Sequence, residues 1–215
     1  MPAKHILKIY LPNSFYHLYN RGVNKQLIFK DQQDYGVFLG YLKEYLSPDQ
    51  KKTCLRQISI EGKIYKTITP PCKNYHQEII LLAYCLMPNH FHLLIKQTSD
   101  FSITSFMKSL FTRYTMYFNK RYQRIGPLFQ SRYKAILINN ENQLTHLSRY
   151  IHLNPHKLKQ KQPSSLSDYL GLTHTPWLHP EIILEYFSAK HSYKKFVDEQ
   201  SNSSESILED TTLEE

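Results

Sequence analysis

His90 and His92 flank Phe91 in the run Ala83 to Ile95, and an extended strand turns every second side chain to the same face. Both imidazoles then point one way. Two neutral histidines about 6–7 Å apart along a strand can share a divalent cation, which needs lone pairs converging on one point and tolerates nitrogen beside oxygen ligands. The ordinary use of such a triplet is two solvated or hydrogen-bonded rings. Its flanks favour the metal: apolar residues crowd both sides, Pro88-Asn89 supplies a turn, and polar rings beside Leu93, Leu94 and Ile95 require a partner. The pair is a candidate metal clamp.

A second constellation lies on a helical stretch further on. Tyr150 and Asn154 are four residues apart and project from one side, with Gln143 two turns away. Taken alone, this spacing also suits a half-buried tyrosine followed by an asparagine that ends a helix before Pro155.

These residues must be held by a domain, and 215 residues suffice for one with a sizeable core. Residues 1–197 hold all 27 basic residues and 11 of the 18 acids, a charge of +16. Such a body suits a polyanion, and 17 tyrosines offer flat surfaces on which unpaired bases can stack. The longest apolar run, Ile79 to Met87, is too short to span a bilayer, and the amino terminus lacks a signal-like segment, so no membrane association and a cytoplasmic location are expected. Cys54, Cys72 and Cys85 have neither the number nor the spacing of a disulfide framework or a zinc ribbon.

The elements follow from periodicity. Residues 15–20 are strand formers that stop at Arg21-Gly22; Asp31 can cap a helix carrying Tyr35, Phe38, Leu42 and Tyr45, closed by Pro48. Residues 49–77 read as an insertion containing a small hairpin about Glu61-Gly62. Residues 79–86 and 90–96 form two strands, and Ile103, Phe106, Leu110, Tyr114 and Phe118 mark a helix whose tyrosines belong to the core. From Phe129 to Ile138 the alternation places Gln130, Arg132 and Lys134 on one face of a strand, a natural phosphate contact. The order strand, helix, strand, strand, helix, strand is the α+β, βαββαβ pattern of ferredoxin-like and RNA-recognition-type domains, an antiparallel sheet with helices on one face and the other open for a ligand. A helix from Asn139-Asn140 to Asn154-Pro155 is added to it. Beyond lie a loop at 163–168, short helical pieces, and from Gln200 a composition that predicts disorder.

Three segments, Tyr84-Cys85-Leu86-Met87-Pro88-Asn89-His90-Phe91-His92, Gly126 to Lys134, and Arg149-Tyr150-Ile151-His152-Leu153-Asn154-Pro155, resemble the single-tyrosine HUH transposases in sequence and in order. The match is nearest to the REP-associated tyrosine transposases of the insertion-sequence-200-type group, and Tyr16 to Gly22 is an opening typical of them. The resemblance implies a DNA strand-cleaving and rejoining domain, placed over 1–172 with 49–77 inserted, while composition adds a helical extension at 173–199 and an acidic tail at 200–215 outside the common core. It implies His90 and His92 as metal ligands, Tyr150 as the nucleophile on the added helix, and Asn154 completing the metal site. DNA contacts are expected from Arg21, Lys108, Arg113, Lys120, Gln130, Arg132 and Lys134.

A phenol with an ordinary pKa near 10 attacks poorly at neutral pH unless a cation stabilises the phenolate or neutralises the phosphate. Histidine, an amide oxygen and substrate oxygens suit Mg²⁺ or Mn²⁺, held weakly until DNA binds. The expected partner is single-stranded or hairpin DNA, and the protein a monomer or homodimer. A histidine-triad nucleotide hydrolase is excluded by Leu94, where a further histidine is required. A domesticated, non-catalytic DNA- or RNA-binding protein on the same fold is the alternative.

Overall fold

The structure is a computed structural model that describes residues 10–48, 55–60, 63–68, 73–157, 162–188 and 190–199. Cys54, Cys72 and the expected disordered tail from Gln200 lie outside these residues. Strand β1 spans Ser14–Arg21, and helix α1 spans Gln32–Leu46. The Asp31 carboxylate accepts from the backbone N–H groups of Gln33 and Asp34, satisfying donors that the first helical turn leaves orphaned. Strands β2, Leu55–Ile60, and β3, Lys63–Ile68, form a separate two-stranded sheet within the expected insertion. Then come β4, Ile79–Met87, β5, His90–Gln97, helix α2, Ser102–Arg121, and β6, Lys134–Ile138.

The main sheet has the order β4-β5-β1-β6, and every neighbouring pair is antiparallel. On one face Tyr16, Leu18, Leu86, Phe91 and Leu93 meet Phe38 and Leu42 of α1 and Phe106, Leu110 and Tyr114 of α2 in one core. Burying each of these side chains fully contributes roughly 1.5–3 kcal/mol. The two helices are joined at their ends as well. Asp34 is completely buried and accepts from the hydroxyls of Tyr117 at 2.9 Å and Tyr122 at 2.8 Å and from Arg121 at 2.6 Å. A buried carboxylate is tolerable only with partners of this kind.

The other face departs from expectation, for much of it is covered rather than open. Helix α3, Glu141–Leu153, lays Leu144, Leu147 and Ile151 over Ala83, Cys85, Met87, Leu94 and Ile138. Three short helices complete this layer: α4, Leu166–Tyr169, α5, Glu181–Leu184, and α6, Lys190–Asp198, whose Tyr169, Ile183, Tyr193 and Val197 are buried with them. The apolar residues on that side of β4 and β5 make the cover favourable. A bulge between Leu81 and Ala83 shifts the register of β4, and the Leu82 carbonyl accepts from the Tyr169 hydroxyl at 2.9 Å. Polar bonds fix α3 to its neighbours. The buried His152 joins the Tyr193 hydroxyl at 2.6 Å and the Ser165 hydroxyl at 2.8 Å, and Ser165 accepts from the Tyr84 N–H at 2.9 Å.

Candidate active site

The turn that leads into the histidines is held from outside by main-chain hydrogen bonds. The Pro88 carbonyl accepts from Ile28 N–H at 2.8 Å and Phe29 N–H at 3.0 Å, and the Asn89 carbonyl from Gly22 N–H at 2.8 Å. A Cβ at Gly22 would stand 2.2 Å from the Gln26 carbonyl oxygen, so glycine is required by this close approach. The turn and the end of β1 are thereby one unit.

Cross-strand register gathers the site on the face covered by α3. His90 is opposite Arg21 on β1 and Met87 on β4, and His92 is opposite Tyr19 and Cys85. His90 Nδ1 donates to the Asn89 side-chain oxygen at 2.6 Å, which sets its ring, and this ring lies at 89° to that of His92 with centroids 5.1 Å apart. His92 is fully buried. Its Nδ1 shares a 2.9 Å hydrogen bond with Nε2 of His17, also fully buried, while its own Nε2 is buried with no hydrogen-bond partner. Burial, reinforced by the neighbouring His17, His90 and Arg21, holds His92 well below the ordinary histidine pKa, so the ring is neutral at neutral pH. The Cys85 thiol beside it is pushed up by burial and is no nucleophile.

Tyr150 reaches the same place from α3. Its ring stands edge-on to His92, with centroids 5.5 Å apart and planes at 90°. Asn140 starts this helix by accepting from the Gln143 N–H, and Gln143 returns its side-chain oxygen to the Asn139 N–H. That reciprocal capping uses Gln143 at the helix start, away from Tyr150. Asn154 is 7% exposed one turn past Tyr150, and its N–H donates to the Tyr150 carbonyl. Asn154 keeps helical angles, φ −52° and ψ −45°, despite preceding Pro155, because the chain continues as a 3-10 turn over Asn154–Lys157 instead of breaking off. A proline in a first turn forfeits no helical bond.

The basic residues divide by layer. Arg21 and Lys134 share the histidine face: Arg21 is the partner of His90, and Lys134 is the partner of Tyr19. The Arg21 Nε is buried with no hydrogen-bond partner. Lys108, Arg113 and Lys120 lie on α2, in the layer behind the sheet, and Arg113 is engaged there by Glu44 at 2.8 Å and by the Tyr41 ring. Gln130 and Arg132 are exposed, but they lie outside β6, which begins only at Lys134. The expected strand from Phe129 is a loop instead: Gln130 N–H donates to the Arg21 carbonyl at 3.0 Å and the Asn20 side chain to the Ser131 carbonyl at 2.9 Å, so local tethers replace a ladder.

Among the described residues no group of three or more His, Cys, Asp or Glu gathers as a metal site. The donors that the geometry brings together here are two imidazoles, without a carboxylate, and Asn154 follows one turn past Tyr150. An unpartnered, buried imidazole nitrogen beside a second histidine fits a cation that completes its coordination with substrate oxygens and water. His17 is the member that the sequence did not single out. Its signal was alternation with Tyr19 and Arg21 along β1, which points to the histidine face only once β1 is known to lie beside β5.

Residues 37–154 match the family described as transposase IS200 like, a stretch that contains His90, His92 and Tyr150 and ends at Asn154. No curated protein matches the sequence. Among solved structures, the fold is similar to that of a REP-associated tyrosine transposase bound to a REP hairpin, with TM-score 0.53, 12% identity, and 81% of this chain and 90% of that chain covered. A tRNA(His) guanylyltransferase from Saccharomyces cerevisiae aligns over 94% of this chain and 79% of its own at 12% identity, but with a TM-score of 0.41.

Proposed function

The chain belongs to the IS200-like transposase family, and on that premise we propose that it is a REP-associated, single-tyrosine HUH transposase that cuts and rejoins single-stranded or hairpin DNA. The observation that carries this reading is the contact between Tyr150 and His92, a phenol held against a buried, neutral imidazole whose Nε2 has no partner. The sheet order β4-β5-β1-β6, taken without the β2–β3 pair, supports the ferredoxin-like architecture. The likeness to a transposase solved with a REP hairpin supports a hairpin substrate.

In this reading Arg21 and Lys134, whose register puts both on the histidine face, draw the scissile phosphodiester onto it. His90, His92 and Asn154 would hold Mg²⁺ or Mn²⁺, which when bound neutralises charge on the phosphate and stabilises the departing oxygen. The Tyr150 oxygen attacks phosphorus as its proton passes to water, a bond from phosphorus to tyrosine forms, and the bond to the 3′ oxygen breaks, that oxygen taking a proton back from water. The products are a 5′-phosphotyrosine and a 3′-hydroxyl. One phosphodiester has replaced another, so attack by a 3′-hydroxyl on the same phosphorus rejoins strands without ATP and frees the tyrosine.

Tyr150 meets His92 of its own chain, which supports a site complete within one subunit. Residues 1–172 act as the catalytic domain and 173–199 as an extension that braces α3, in the cytoplasm where its DNA is. Among the described residues no helix is long and apolar enough to cross a membrane. Labelled single-stranded hairpin DNA incubated with the protein and Mn²⁺ should give a covalent adduct on a denaturing gel. Binding without any adduct would favour the domesticated, non-catalytic alternative.

A further inference from the structure

His17 lies outside the residues matched to the family and has no solvent exposure with which to touch DNA. It nevertheless hydrogen-bonds the side chain of His92, 2.9 Å from Nε2 of His17 to Nδ1 of His92. The two rings lie edge to edge and nearly coplanar, 18° between planes with centroids 5.1 Å apart, and Tyr19 packs on His17 at 4.8 Å, so the pair is fixed from several sides. We propose that His17 is a positioning residue, holding His92 in the tautomer that presents its Nε2 lone pair to the metal. The proposal rests on the metal site described under the proposed function.

A single proton in the shared bond has two places. If His17 Nε2–H donates, the His92 proton must sit on Nε2, which leaves a buried N–H with no acceptor and no lone pair for a cation. If His92 Nδ1–H donates to His17, Nε2 carries the lone pair, and the atom without a protein partner is the atom a metal would take. Ligating histidines ordinarily have the second nitrogen tied in this way, which fixes tautomer and ring orientation together. Here the tie is another histidine on the adjacent strand, where a carboxylate or a backbone carbonyl is usual.

The test compares His17→Phe, which keeps a ring and removes the acceptor, with His17→Gln, whose amide can restore an acceptor. The readouts are Mn²⁺ affinity from the free-ion electron paramagnetic resonance signal, the His92 tautomer from nitrogen-15 NMR, and thermal melting. His17→Phe should lose about tenfold or more in Mn²⁺ affinity while melting cooperatively, and His17→Gln should recover most of that loss. The wild-type His92 should show a protonated Nδ1 and an unprotonated Nε2. A protonated Nε2 in the wild type, or unchanged Mn²⁺ affinity in His17→Phe where His92→Ala loses it, overturns the role of His17 alone. Equal Mn²⁺ affinity in wild type and His92→Ala overturns the metal site itself. If His17→Phe does not fold, the wild-type tautomer still decides.

Discussion

His92 and Tyr150 meet edge to face, 5.5 Å between ring centroids, although one lies on the second core strand of a hairpin and the other on a helix that the α+β pattern does not require. Neither element could make the site alone. Strand β5 supplies a buried nitrogen with no partner, and α3 brings a phenol to it only because Leu144, Leu147 and Ile151 are buried against the sheet. The docking of α3 is therefore as much a part of the proposed chemistry as the two residues.

His90→Ala and His92→Ala should each abolish Mn²⁺-dependent cleavage of a hairpin substrate, since one imidazole and one amide make a poor cation site. Asn154→Ala should be milder and should raise the Mn²⁺ concentration at half-maximal cleavage, because water can replace one neutral ligand. Undiminished cleavage by both histidine variants in titrated metal would dispose of the clamp.

Arg21→Ala and Lys134→Ala, on the histidine face, should each make log affinity for single-stranded DNA less steep against log salt, by about 0.7 for each phosphate that is no longer neutralised. Lys108→Ala, on α2 behind the sheet, should leave the slope unchanged. The reverse pattern in a fluorescence-anisotropy titration would put the DNA on the α2 layer.

Tyr193→Phe removes a hydroxyl bonded to His152 at 2.6 Å and to Ser148 at 3.0 Å, all three residues being buried. Leaving those groups unsatisfied should cost about 1–3 kcal/mol in urea unfolding and slow adduct formation through a loosened α3. Unaltered stability would show that α6 braces nothing.

The Arg121 guanidinium, bonded to Asp31 at 2.6 Å, holds the Asp31 carboxyl below its ordinary pKa. A depressed folded-state pKa gives stability that is present above the unfolded value, near 3.9, and is lost as pH falls through the folded one. Asp31→Asn keeps the helix cap and removes the charge, so its melting temperature should trail the wild type by a small margin at pH 7 and converge with it near pH 2. A gap that persists in acid would assign the effect to capping.

Much of this arrangement was legible in the sequence. Asp31 and Asn140 announced helix starts, Pro88-Asn89 the hairpin, and the four-residue step from Tyr150 to Asn154 a shared helical side, because each is a local signal. The cover on the second sheet face was not legible. Its apolar residues, Tyr169, Ile183, Tyr193 and Val197, come from three short helices that carry no sustained period. Alternation from Phe129 onward could not distinguish a strand from a loop tethered to Arg21 and Asn20. Charge gives the sign of the surface without its layer, so it cannot separate Lys108, Arg113 and Lys120 from the basic residues on the opposite side of the sheet. The bond between His17 and His92 depends on strand order, which no single segment encodes.

In the proposed reaction Tyr150 is the nucleophile. Tyr114 offers no substitute, since its buried hydroxyl donates to the Ile28 carbonyl at 2.6 Å and burial pushes its pKa far up. The direct measurement is mass spectrometry of proteolysed adduct, formed with hairpin DNA and Mn²⁺, in wild type and in Tyr150→Phe. A nucleotide remnant is expected on the peptide containing Tyr150, with no adduct in Tyr150→Phe at nearly unchanged DNA affinity, because only one hydroxyl is removed from a surface held by phosphate contacts. A remnant on any other tyrosine, or a full-strength adduct in Tyr150→Phe, would contradict it.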